Sequence, residues 1–278
     1  MIEARHARAP SPLSRSVGIL ALWLGLSAIL LTTAIRLQAQ AIPANPPATT
    51  GNAQVVEIRI GDEIEPVMAE YVDNGIAEAA RIHASLILIT MDTPGGLSTS
   101  MEDIIRHILD SPVPVAIYVS PAGARGASAG FFILLSADIA AMAPGTHTGA
   151  ASPLMELGGF PLQVDQTLKN KILNDATAFL RSYAEKRGRN VALAETAVTD
   201  AKAWTETEAL DGHLIDLIAN SQEDLLAKLN GRTIKRFDGS TTVLALRNPQ
   251  IAPFTMSFRQ RFLSRIVQPD AFFILLIV

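Results

Sequence analysis

The spacing of apolar residues switches repeatedly between two periods along this chain. Gln54–Ile60 is rich in Val and Ile and alternates apolar with polar, which predicts a strand. From Ile64 to His83 the apolar positions Ile64, Val67, Met68, Tyr71, Val72 and Ile76 recur at helical spacing. Ser85–Met91 is a short, nearly unbroken apolar run, the signature of a strand buried on both faces. Met101–Leu109 returns to the helical period, with Ser98, Thr99 or Ser100 as its cap. A strand over Val113–Val119, a helix over Ala127–Ser136 and a short strand over Ile139–Met142 follow. The longest predicted helix is Leu168–Arg187, closed by Gly188. Asn190 caps a helix to Val198, and Thr205 with Glu208 reads as a capping box for a short helix ending near Gly212. Ile215–Ile218 and Thr241–Leu246 read as strands, with a helix at Glu223–Leu229 between them. Strands alternating with helices predict an α/β fold of stacked βαβ units around a mostly parallel sheet.

The two ends depart from this pattern. Arg5, Arg8 and Arg15 precede an uncharged run from Val17 to Ile35, 19 residues long. As a helix it would extend about 28 Å, enough to cross a bilayer. Ala39-Gln40-Ala41 fits the small-x-small rule of signal peptidase, so residues 1–41 are expected to be a secretory signal, with an uncleaved anchor as the alternative. Either reading leaves the basic flank inside and the remainder outside the cytoplasm. Residues 42–52, rich in Pro, Ala, Thr and Asn, form a linker. One domain is expected over 53–248. Residues 249–269, with Arg259, Arg261 and Arg265, read as a juxtamembrane segment. Residues 270–278, mostly the apolar run Ala271–Val278, read as the start of a truncated transmembrane helix, with a final buried strand as the alternative.

The hydrophobic fraction of 49% is partly the work of these ends. The absence of cysteine excludes disulfides, thiol catalysis and cysteine zinc sites. The formal charge is −4, and removing residues 1–41 makes it −7. There is no basic patch of the kind nucleic-acid binding needs. No cofactor motif stands out.

Candidate chemistry centres on Gly126-Ala127-Ser128-Ala129-Gly130, where one serine sits among residues with almost no side chains. The strand ending at Met91 runs straight into Asp92-Thr93-Pro94-Gly95-Gly96, a second small-residue loop. Two such segments allow close approach of backbone, nucleophile and substrate, and point to a serine facing a backbone oxyanion hole. A free hydroxyl is a weak nucleophile and needs a base. Three schemes compete. Asp200 and His213 follow Ser128 in the order of an α/β-hydrolase triad, but Ser120–Arg125 separate the predicted strand from the serine. His147 lies in a glycine-flanked loop, with no aspartate standing out as its partner. Lys169 and Lys171 open the longest helix, where the macrodipole together with burial lowers the pKa of an amine. A solvated lysine is the ordinary alternative.

The stretch from Asp92 to Pro153 resembles the membrane-bound serine proteases of the NfeD family, a ClpP-class branch of the Clp/crotonase fold. The matching pieces are Asp92–Gly96, Tyr118–Ala124, Ala127–Gly130 and Ala141–Thr146. The match resumes at Lys171 and runs through Asn174-Asp175, Arg181–Glu185, Arg187–Asn190, Glu208–Leu210 and Ile215-Asp216. The resemblance implies that Ser128 is the nucleophile and Lys171 the general base, with Lys169 the weaker candidate. It implies an oxyanion hole from the backbone amides of Gly96 and Ala129, with Gly95 keeping the substrate-binding loop tight. It further implies a bacterial membrane location, hydrophobic peptide segments as substrate, a stomatin-like membrane protein as partner, and homo-oligomers. His147 and Gly126 depart from the family's usual small residues at those positions. A degenerate scaffold for the stomatin-like partner, and acyl-CoA chemistry of the crotonase kind, are the competing functions. Export speaks against the second, because acyl-CoA is chiefly cytoplasmic.

Overall fold

A computed structural model describes residues 52–154, 156–157, 160–161 and 165–267. The expected signal or anchor, most of the linker and the apolar run 270–278 lie outside the described residues. Among the described residues no helix is long and apolar enough to cross a membrane.

The elements in chain order are β1 (Gln54–Ile60), α1 (Pro66–Arg81), β2 (Leu86–Met91), α2 (Ser98–Asp110), β3 (Val115–Val119), β4 (Arg125–Ala127), α3 (Ala129–Ser136), β5 (Ile139–Met142) and β6 (His147–Gly149). After the short pair β7 (Glu156–Leu157) and β8 (Phe160–Pro161) come α4 (Gln166–Ala184), α5 (Val191–Thr199), β9 (Ala203–Thr205), α6 (Glu206–Asp211) and β10 (Leu217–Ile218). The chain closes with α7 (Gln222–Leu229), the hairpin β11 (Thr233–Lys235) and β12 (Thr241–Val243), β13 (Gln250–Pro253) and α8 (Phe258–Val267). Six strands form one sheet in the order β10-β5-β3-β2-β1-β13, and every pair in it is parallel. The expected α/β architecture is therefore present.

The central strands β2, β3 and β5 are buried along their whole length, as an all-parallel sheet covered on both faces requires. One face carries Ile58, Ile89, Ile117 and Met142 against α1, α2, α3 and α4. The other carries Val55, Leu88, Ala116 and Ala141 against Leu225, Leu226 and Leu229 of α7 and against Ile234 of the hairpin. All eight residues of α3 are buried. A helix apolar all round is a core element rather than a surface one, so its first turn is among the most constrained points in the fold.

Local rules explain most element ends. The Asp165 and Asn190 side chains accept from Leu168 and Leu193 amides and start α4 and α5. The predicted Thr205–Glu208 capping box is present. The cap expected for α2 is not: Leu97 is the N-cap, and Ser98, Thr99 and Ser100 lie inside the first turn. The strand expected over Thr241–Leu246 shortens to Thr241–Val243, and that over Ile215–Ile218 to its last two residues. The sheet also continues past residue 248, because Gln250–Pro253 pairs with β1.

The end of α4 is tied to the end of α3. Arg187 Nε donates to the Ser136 carbonyl (2.7 Å), and its guanidinium pairs with the buried Asp138 carboxylate, as does that of Arg236. Tyr183 of α4 donates its hydroxyl to the Phe132 carbonyl of α3 (3.0 Å). The helix bearing Lys171 is thus fixed, through its C-terminal half, to the helix that begins after Ser128.

Candidate active site

Ser128 stands between β4 and α3. The sequence predicts a strand ending at Val119 and a helix from Ala127. The strand does end at Val119, but a further strand, Arg125–Ala127, feeds directly into the serine, and the helix starts only at Ala129. β4 is assembled by its neighbours. It pairs in parallel with β6, and it bridges Thr93 of the Asp92–Gly96 loop. Thr93 N donates to the Arg125 carbonyl (2.8 Å) and Ala127 N to the Thr93 carbonyl (3.1 Å). The Arg125 amide also reaches Asp92 Oδ1 (3.0 Å). The two glycine-rich segments therefore lie side by side.

The serine itself is held at φ 52° and ψ −118°, with its amide donated to the Gly149 carbonyl (2.9 Å). A residue with a Cβ adopts this conformation at a cost of about 1–3 kcal/mol, and does so mainly where surrounding structure imposes it. Here the imposing structure is β4 on one side and the fully buried α3 on the other. A methyl group at Gly95, which has φ 122°, would lie 2.6 Å from Ser128 Cβ and 3.0 Å from its Oγ. Gly95 thus lets the loop press against the Ser128 side chain. At Gly130 a methyl would meet Thr93 Cγ2 at 2.6 Å, so the helix start is equally tight.

Among the described residues, the amides of Gly96 and Ala129 have no acceptor. Ile64 donates to the Gly95 carbonyl (2.7 Å) and accepts from the Leu97 amide (2.8 Å), so the bridge straddles Gly96 and leaves that residue's own N–H turned away. A Cβ on Gly96 would strike the Ile64 backbone at 2.3–2.8 Å. Ala129 is the first residue of α3, where an N–H has no partner within the helix. Neither amide donates to any other described residue. Ser128 is partly buried, and unengaged backbone donors of this kind are chemically able to receive an oxyanion.

The base candidates sit differently. Lys171 is on the second turn of α4 and Lys169 on the first, and both are exposed. Lys171 borders a shallow groove along α4 with Leu168, Asn174, Asp175 and Ala178. His147 is exposed and pairs in register with Arg125, whereas Gly149 pairs with Ala127. The histidine therefore lies at the end of β6 away from Ser128, about 10 Å along the ladder. His213 follows α6 with its Nδ1 3.1 Å from the Asp211 carbonyl, and Asp200 caps α5. These two are not engaged with each other, and no triad is assembled.

Leu97, directly after Gly96, is 54% exposed, and Leu154 is 80% exposed. A recess of about 490 Å³ at the C-terminal strand ends is lined by Glu57, Arg59, Asp92, Tyr118 and Gln222 and does not include Ser128. It opens on the sheet face carrying Tyr118, opposite α3.

Residues that sequence reasoning overlooked are Thr93, Gly149 and Tyr183. Buried Thr93 accepts from Gly95 N through Oγ1 (3.2 Å) and shapes the loop. Gly149 receives the serine amide. Its position in a glycine-flanked loop was the available signal. At Gly126, where the resemblance implies a small residue with a Cβ, such an atom would have side-chain atoms of Met91, Val119 and Thr148 at 3.1–3.3 Å.

The profile of the NfeD1b N-terminal domain matches residues 54–251, which hold every residue of this site and all of the six-stranded sheet except the last two residues of β13. The chain belongs to the NfeD1b N-terminal domain family. Among its relatives is the membrane-bound protease PH1510 of Pyrococcus horikoshii, 34% identical over 221 residues, which are 78% of this chain and 49% of that protein. The membrane protein NfeD1b of Bacillus subtilis is 34% identical over 122 residues, 44% of this chain and 27% of that protein. The chain spans about half the length of the first and about a quarter of the second. Among solved structures, the 1510-N membrane-bound stomatin-specific protease superposes with a TM-score of 0.71 at 32% identity, covering 80% of this chain and 99% of that one. That structure is of a lysine-to-alanine variant in complex with a substrate peptide. A serine-to-alanine variant gives 0.68 at 33% identity, covering 74% and 99%. The NfeD1b-type domain described here thus has the mixed α/β fold of that protease.

Proposed function

We propose that this chain is a serine endopeptidase that uses a Ser128–Lys171 dyad on apolar peptide segments. The observation that carries the reading is the strained, half-buried Ser128 flanked by the unengaged amides of Gly96 and Ala129. In this reading Lys171 removes the hydroxyl proton as Oγ attacks the scissile carbonyl, and the two amides receive the oxyanion. The ammonium then protonates the leaving amine, and the same amine later activates water to release the acyl group. Lysine serves as a base only when its amine is desolvated. The exposed position of Lys171 means that this must be supplied on binding, by a peptide lying between α4 and the Leu97 rim or by a second copy of the chain. A related protease has been solved with a substrate peptide in a lysine-to-alanine variant, which supports a lysine role.

The same reading places the protein in a bacterial membrane, with residues 1–41 as a secretory signal or an uncleaved anchor, residues 270–278 as the start of a transmembrane helix, and the domain outside the cytoplasm. A stomatin-like membrane protein is its partner and source of substrate, and the chain acts as a homo-oligomer without a cofactor.

The exposure of Lys171 also favours a second reading, an inactive scaffold that holds the stomatin-like partner. A serine-reactive fluorophosphonate probe separates the two. The peptidase labels at Ser128, and labelling disappears in Ser128→Ala and falls steeply in Lys171→Ala. An unlabelled wild type that also leaves apolar peptides uncut would leave only the scaffold.

A further inference from the structure

Helix α8 carries a surface that the peptidase reading does not use. Its start is secured by a reciprocal cap: Gln260 N donates to Ser257 Oγ (3.2 Å), and Ser257 N donates to Gln260 Oε1 (3.0 Å). Its inner side packs on α1, where buried Gln260 donates to Glu70 Oε1 (3.3 Å) and Arg259 pairs with the same carboxylate (3.3 Å). At 100° per residue, Phe258, Phe262, Arg261 and Arg265 fall on the opposite side. Phe258 is 81% and Phe262 58% exposed, one turn apart. Arg261 and Arg265 are exposed and form no ion pair among the described residues. No acidic residue occurs in α8, although the chain carries a net negative charge.

We propose that α8 is an interfacial helix that sets Phe258 and Phe262 into the headgroup boundary of an anionic bilayer, with Arg261 and Arg265 on lipid phosphates. Aromatic rings beside arginines on one face are the composition of helices that lie in this plane. A second copy is a poor occupant, because two-fold pairing would bring unpaired arginines onto arginines. The sequence just beyond also favours lipid: Ala271–Val278 is eight consecutive apolar residues. The proposal stands apart from the peptidase reading, since lipid contact at Phe258 and probe labelling at Ser128 are measured separately.

The absence of cysteine makes the test clean. Phe258→Cys and Phe262→Cys, each labelled with an environment-sensitive fluorophore, are reconstituted as full chains into phosphatidylcholine vesicles with and without phosphatidylglycerol. Val243→Cys, on the exposed strand β12, is the control. The expected result is a blue shift and protection from iodide at 258 and 262 in the anionic vesicles alone, with the control still quenched. Neutralising Arg261 or Arg265 with glutamine lowers the docked-to-free ratio about fivefold each, and molar salt, with a Debye length of about 3 Å, has the same effect. Labels at 258 and 262 that iodide quenches equally in both lipids overturn the proposal. So does protection that is independent of lipid charge, which would mean burial against protein.

Discussion

The surroundings of Ser128 and those of Lys171 are built on opposite principles. The serine is fixed from every side: strand β4 before it, a wholly buried helix after it, Gly95 against its side chain and the Gly149 carbonyl on its amide. Its backbone carries the cost of an unfavourable φ, offset by a core that leaves it no alternative. Lys171 is on an exposed turn of a helix seated mainly through its far end. In the proposed peptidase reading, the difference means that the serine hydroxyl and its flanking amides are preorganised within one chain, whereas the desolvation Lys171 requires is completed only when something covers α4.

That comparison can be broken most directly by kinetics. Ser128→Ala should lower peptide cleavage by about 10⁴-fold or more, and Lys171→Ala by about 10²–10⁴-fold, while both keep the wild-type circular dichroism and melting temperature. Lys169→Ala should stay within a few-fold. If Lys171→Ala retains wild-type turnover while His147→Ala loses it, the assignment of the base is wrong.

Next in size is Gly96→Ala. Its methyl would meet the Ile64 backbone at 2.3–2.8 Å in a conformation with φ 153°, and backbone cannot swing aside as a side chain can. A loss of about 3 kcal/mol in urea unfolding is expected, with activity lost as well. A variant of unchanged stability would mean that the Asp92–Gly96 loop is far looser than its contacts imply.

Tyr183→Phe removes the hydroxyl bonded to Phe132 and probes the link between the two regions. It should cost about 1 kcal/mol. If the seating of α4 matters to chemistry, kcat should fall more than KM rises. An effect on stability alone would uncouple the helix from the site.

The smallest effect belongs to Glu65, at the start of α1 beside the turn that holds Gly96. Burial first, then the charges of Asp62 and Glu63, raise its pKa above the ordinary carboxylate value. A carboxyl raised on folding binds its proton more tightly in the folded state. The stability tied to that proton is full below the unfolded value and is lost as pH rises through the folded one. Glu65→Gln should therefore raise the melting temperature slightly at pH 7 and leave it unchanged near pH 3. A gain of equal size at both pH values would show that charge is not its cause.

Where local chemistry suffices, the sequence could be read directly. Ile139–Met142 is a strand at the expected bounds, Asn190 and the Thr205–Glu208 box cap the helices they were expected to cap, and the apolar runs give an all-parallel sheet. Where an element exists only because distant segments meet, it could not. Arg125-Gly126-Ala127 has neither alternation nor β-branched residues, and it becomes a strand through Thr93 and β6. Gln250–Pro253 lies in the stretch read as a juxtamembrane segment and becomes an edge strand on β1. The same divide runs through the site. Small residues around Ser128 marked it as a candidate nucleophile, because only a near-absence of side chains permits such close approach. The strained elbow and the freedom of the Gly96 amide come from hydrogen bonds spanning many residues, and spacing along a chain carries no record of them.

The sequence alone determined the period of each element, the caps and the location of the small-residue loops, since these are contacts within a few residues. Only the tertiary structure decided that the two loops face each other and that Lys171 remains in water, because both depend on how the sheet and α4 pack.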